Sequence, residues 1–138
     1  MAGWTTPATA VTETVIPSAT WNATVRDNLN FLKANIGLEA AAELTIAAGV
    51  VTKTKAYHTI DTEADGSPDA LDTINGGTVG DILFIRAEHT DRTVTVTDDG
   101  NIVLAGAADF SMDSTNDTMM LIYDGAKWLE LSRSNNDA

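Results

Sequence analysis

Few residues in this chain could carry out a reaction. His58 and His89 are its two histidines, the first in an alternating segment and the second in the polar turn Glu88-His-Thr-Asp-Arg92. A serine nucleophile would need one of them beside it with a carboxylate behind, and no Gly-x-Ser-x-Gly elbow is present. With no cysteine there is no thiolate catalysis, no cysteine-based zinc site and no disulfide. Two carboxylates across a cleft would suffice for a glycosidase, but a domain of this size forms such a groove only between subunits. The expectation is a protein that is not an enzyme and needs no cofactor.

The most site-like stretch is acidic. Asp61, Glu63, Asp65, Asp69 and Asp72 alternate around Gly66, and oxygen donors at such spacing suit a hard cation such as Ca2+. Against this, Glu63 stands where a shorter acid is usual, Pro68 where an apolar residue is, and Asp72 where the long bidentate glutamate would be. A solvated acidic turn between strands accounts for the same residues. Asn75-Gly-Gly77 and Gly80-Asp81 are flexible but lack the lysine of a phosphate-binding loop, and read as a turn. Asn22-Ala-Thr and Asn116-Asp-Thr fit the glycosylation pattern, which carries meaning only on a secretory route.

One segment reads clearly as a helix. Between Pro17-Ser18 and Gly37, the residues Trp21, Val25, Leu29, Leu32 and Ile36 recur at spacings of three and four, a single apolar stripe. Ser18 is a suitable N-cap and Gly37 a suitable C-terminal cap. Phe31 widens the apolar face, and Asn22, Arg26, Asn30 and Lys33 occupy the wet one. The stripe would serve equally to cover a sheet or to form a short coiled coil with copies of itself. Residues 1–17, with two prolines, many threonines and the apolar Trp4, Val11, Val15 and Ile16, read as an extended docking arm.

The formal charge of −12, from 20 acidic and 8 basic side chains, opposes contact with nucleic acid or anionic membranes. Nothing in the chain resembles a secretory signal or a bilayer-spanning run, so synthesis in the cytosol without export is expected. Residues 18–42 are read as helix and linker, and residues 43–138 as one β domain. There the periodicity is two, with candidate strands Leu44–Ala47, Val50–Lys53, Ala56–Ile60, Ile82–Ala87, Thr93–Thr97, Ile102–Leu104, Met119–Asp124 and Trp128–Leu131. Asp99-Gly100 and Asp124-Gly125 read as hairpin turns. The segment Gly80–Arg86 is apolar on both faces, which predicts a central strand covered on two sides. The fold class expected is mainly β: an extended arm and one amphipathic helix, then an antiparallel sandwich or barrel.

Two sets of residues resemble those of tailed-bacteriophage virion proteins. Trp4-Thr-Thr-Pro7 followed by Trp21-Asn-Ala-Thr-Val-Arg-Asp-Asn-Leu-Asn-Phe-Leu32 is similar to an arm-and-helix anchor that opens many of them. Arg92–Val96, Gly100–Gly106 and Leu121–Arg133 are similar to β modules at the tips of phage fibres and head appendages. The resemblance implies a homotrimeric structural protein at the virion surface, with no reaction and no cofactor. Trp4, Trp21, Val25, Leu29, Phe31, Leu32 and Ile36 would then form the oligomer or anchor interface. A helix this short spans less than about 30 Å. That shortness favours a capsid decoration or short head-fibre protein bound to the major capsid protein or another virion protein. The alternative is a tail-fibre or receptor-binding protein recognising a host surface molecule through loops such as Asp61–Asp72 or Glu88–Arg92. On either reading Tyr57, Tyr123 and Trp128 lie in strands, as core rather than as a sugar-stacking platform.

Overall fold

The computed structural model describes residues 17–21, 25–35 and 40–137, without the side chains of Ser18, Trp21, Ala34 and Asn35. Two helical pieces come first, α1 (Ser18–Trp21) and α2 (Asp27–Asn35), with a wider π-type turn at Val25 and Arg26 leading into α2. Asp27 in the first turn of α2 and Lys33 in its last turn both suit the helix dipole. Of the predicted stripe, Leu29 is 59% exposed, Leu32 39% and Val25 half-buried, while Asn28 beside them is buried. Trp4, Ile36 and the side chain of Trp21 lie outside the described residues.

Eleven strands follow among the described residues: β1 (Ala42–Thr45), β2 (Val50–Thr52), β3 (Tyr57–Asp61), β4 (Asp69–Leu71), β5 (Thr73–Asn75), β6 (Ile82–Ala87), β7 (Val94–Val96), β8 (Ile102–Val103), β9 (Phe110–Met112), β10 (Thr118–Tyr123) and β11 (Trp128–Ser134). They do not form the antiparallel sandwich that the turns suggest. β1, β3 and β6 pair in parallel, as do β2 with β5 and β4 with β7. The chain therefore winds in stacked coils, each passing from the large sheet to a side sheet and back. Parallel neighbours require a crossover, and here the crossover is the rest of the coil. Apart from a single antiparallel bridge between Ala47 and Val50, antiparallel pairing among the described residues enters at the end, where β9 adds to β7, β10 to β6 and β11 to β10. β11 then pairs in parallel with β8, giving the large sheet the order β1-β3-β6-β10-β11-β8.

The two Asp-Gly turns differ in outcome. Asp124-Gly125 closes the β10–β11 hairpin, with Asp124 N–H donating to Lys127 O. Asp99-Gly100 joins no hairpin, because β7 and β8 belong to different sheets and the turn is a corner of a coil. A Cβ at Gly100 would stand 2.2 Å from Asp72 O, so this corner packs on the backbone of the preceding coil. Glycine is required there by contact as well as by its φ of +54°.

Inward residues of all three sheets make one core around Ile60, Leu71, Ile74, Ile85, Val94, Ile102, Leu121 and Trp128. The large sheet alternates cleanly. On β6, Leu83, Ile85 and Ala87 are buried, whereas Ile82 and Phe84 are 41% and 46% exposed. β6 is thus central in its sheet, as its sequence predicts, yet the described residues cover only one of its two apolar faces.

Candidate functional site

The acidic stretch is a corner between the large sheet and the β4-β7-β9 sheet, and each of its acids is engaged by the chain itself. Asp61 Oδ1 accepts from Thr62 N–H, and Asp61 Oδ2 accepts from Arg92 Nη1 at 2.6 Å. The same Arg92 nitrogen reaches Asp65 Oδ1 at 2.7 Å. Glu63 accepts from Ala48 N–H, Asp69 from Glu63 and Ala70 N–H, and Asp72 from the Thr97 hydroxyl. Among the described residues no three acids, histidines or cysteines are gathered as they would be around a metal ion. The five proposed Ca2+ ligands are therefore spread along a coil and spent on stapling it. The backbone turns here through positive φ at Ala64 and Asp65.

This corner does bring the two suggested recognition loops together. Arg92 belongs to the β6–β7 connection, Asp61 ends β3 and Asp65 lies in the β3–β4 connection, and Thr93 N–H donates to Ser67 Oγ across the same gap. A third connection, between β9 and β10, reaches the stack through Arg86, whose Nη1 donates to Thr115 O at 2.8 Å. Within it the buried Asp117 accepts from the N–H groups of Asp113, Ser114 and Asn136, and Asp137 accepts from Ser114 Oγ and Asn116 Nδ2. These bonds hold the Asp137 carboxyl below its ordinary range, the Ser114 hydroxyl acting most strongly. The result is a braced, polar, acidic edge of exposed loop residues including Glu63, Asp65, Asp91, Asp113 and Asn116.

The aromatics are elsewhere. Trp128 is fully buried, Tyr123 packs against the core with its ring 5.0 Å from the Trp128 ring, and half-buried Tyr57 lies on the outward face of the large sheet beside Phe84. The loop edge therefore offers carboxylates and amides without a stacking platform. His89 stays in its turn, half-buried, and His58 is fully buried at the junction of the first two coils.

His58 has a structural task that its sequence position did not reveal. Its Nε2 accepts from the N–H groups of Thr54 and Lys55 at 3.1 and 2.9 Å, so the proton sits on Nδ1, which donates to Ala42 O at 2.6 Å. Protonating Nε2 would break both backbone bonds. Burial is the main cause that lowers the His58 pKa below its ordinary 6.5; the charges of Lys53 and Lys55 act the same way and the Ala42 carbonyl opposes them. A lowered folded pKa means that the unfolded chain takes the proton first. The His58 contribution to stability is therefore intact above about pH 6.5 and declines as pH falls below it. The expected result is a melting temperature that drops between pH 7 and 5.5, and a His58→Gln variant whose melting is flat over that window. A wild-type curve as flat as the variant's would contradict it.

Comparison with known proteins places these features in a family. No curated protein matches the chain. Residues 59–129, just over half of its length, match the phage depolymerase C-terminal beta sandwich domain. The matched span begins in β3 and ends two residues into β11, so it takes in the acidic corner, β4 to β10 and the Asp124-Gly125 turn. The anchor-like residues of the first 36 positions fall outside it, and a capsid-decoration role gains no support from it. The match fits a phage virion component of the tail-fibre type, and the chain belongs to the phage depolymerase C-terminal beta sandwich domain family.

Proposed function

We propose that this chain is a non-catalytic receptor-binding module of a tail-fibre-type virion protein, assembled as a homotrimer. The observation that carries the reading is the family match across the coils that form the braced loop edge. A fibre tip must offer an exposed surface that holds its shape, because ordering loops on contact costs affinity. Here three connections are tied side by side by Arg92, Ser67 and Arg86 before any ligand arrives. The net charge of −12 suits a host molecule that is neutral or cationic at its contact points, such as a neutral glycan or a protein loop, rather than an acidic polymer. The seam of the trimer would use Val25, Leu29, Phe31 and Leu32, with Trp4, Trp21 and Ile36 continuing it. Carboxylates facing one another across a subunit boundary would be the basis of any catalysis, and single Asp→Asn or Glu→Gln exchanges would expose it.

The test is competition. Host cells incubated with micromolar purified protein should adsorb the phage carrying it several-fold more slowly. Adsorption at the untreated rate, with the protein left in the supernatant, would overturn the receptor-binding reading.

A further inference from the structure

The outward face of the large sheet is apolar across five strands, and we propose that it is a second contact between copies of this chain, separate from the helix. This rests on the oligomeric part of the function proposed above and adds the surface. Register places Ile82, Ile122, Leu129 and Val103 in one row across β6, β10, β11 and β8. Phe84 and Met120 form the next row, with Tyr57 of β3 beside Phe84. Ile82, Phe84 and Val103 are exposed and the others half-buried, although the opposite face of the same strands is closed core.

A sheet that alternates against water on one side should read hydrophobic-in and polar-out. This one is hydrophobic on both sides, and no charged side chain interrupts the two rows; the first, Arg86, stands one register step further on. The partner favoured is a second copy of this chain for two reasons. First, two chains each carrying −12 repel wherever their ordinary surfaces meet, and this uncharged face is where they can approach. Second, its size falls short of a complete interface. Five strands at about 4.8 Å spacing give a patch about 20 Å wide, a few hundred Å2, against the roughly 800 Å2 per partner of a stable contact. The exposed Leu29 and Leu32 of α2 supply further apolar surface in an assembly of copies, whereas an unrelated partner on the sheet leaves them bare.

The chain has no cysteine, which makes the test direct. Ile82→Cys or Phe84→Cys in the full-length protein, treated with a short bismaleimide at micromolar concentration, should give mostly cross-linked dimers. Ser111→Cys, exposed on the other sheet, should give few. In parallel, Met120→Glu should raise the dissociation constant of the oligomer about a hundredfold or more by light scattering, since a carboxylate would be buried without a partner. Equal cross-linking at Ser111→Cys and Phe84→Cys, or a monomer at every concentration, would overturn the proposal. An oligomer that cross-links through Phe84→Cys yet leaves phage adsorption untouched would support this interface while removing the receptor-binding reading.

Discussion

Trp128→Ala should cost about 3–5 kcal/mol of folding stability, the loss expected for a large aromatic removed from a closed core. Trp128 is the first residue of β11 and pairs on one side with Tyr123 and on the other with Ile102, so it sits where the closing hairpin meets the third coil. Its Nε1–H donates to Ile74 O at 2.9 Å, tying that joint to the second coil as well. A Cβ on Gly77 would lie within 2.9 Å of the Tyr123 and Trp128 rings, so the pocket fits the indole closely and has little freedom to collapse. Trp128→Phe should be much milder, at about 1–2 kcal/mol, because Ile74 O also accepts from Asn101 Nδ2 and is not left bare. Since domains of this size are stable by only about 5–15 kcal/mol, the alanine variant should shift a urea midpoint severely. A shift equivalent to less than about 1 kcal/mol would show that the joint is not closed as described.

The second large effect concerns a charge. Lys53 is buried, its side chain 2% exposed, and its ammonium lies 2.9 Å from Asp81 Oδ2. Asp81 also accepts from Thr78 N–H, so one carboxylate holds both the lysine and the turn entering β6. Asp81→Ala strands the ammonium inside the fold and should cost about 3 kcal/mol or more, whereas Lys53→Met removes the charge and should cost far less. The pair of substitutions together should be more stable than Asp81→Ala alone. Equal losses for both single variants would mean that packing around the Lys53 stem, and not its charge, is what matters there.

The core position of Trp128 is legible in the sequence, but the Lys53–Asp81 pair is not, and the reason is physical. Lys53 reads as an ordinary strand-end cation, and only the coil winding brings it to Asp81. The parallel stacking itself was hidden because the coils are of unequal length: β1 aligns with β3 after a shorter excursion than β3 with β6, so no fixed repeat appears. β4 and β5 were missed because their three-residue strands lie in the Asp- and Gly-rich segment that composition marks as turn, and β9 because it is equally short. Long alternating segments fared better. β6, β10 and the start of β11 lie where the pattern puts them, and the Asp124-Gly125 hairpin joins the last two.

The site was legible in part. Asp61–Asp72 and Glu88–Arg92 do lie side by side, joined by Arg92, and the acids of the first segment accept from Arg92 and from backbone N–H groups, partners that a reading by spacing alone does not supply. Gly80–Arg86 carried the most useful excess signal. Its two apolar faces predict burial on both sides, and among the described residues Ile82 and Phe84 on the second face stand exposed. The proposed contacts between copies rest on these exposed side chains and on the exposed Leu29 and Leu32.

The measurement closest to the central claim compares two surfaces side by side: labelled full-length protein titrated onto host cells and onto DNA-emptied capsids of the phage that carries it. The tail-fibre reading predicts saturable binding to cells, lost after the cell surface is stripped of its polysaccharide or protein receptor, and no binding to capsids. Saturable binding to capsids with none to cells would contradict it and restore the decoration role that the short helix first suggested.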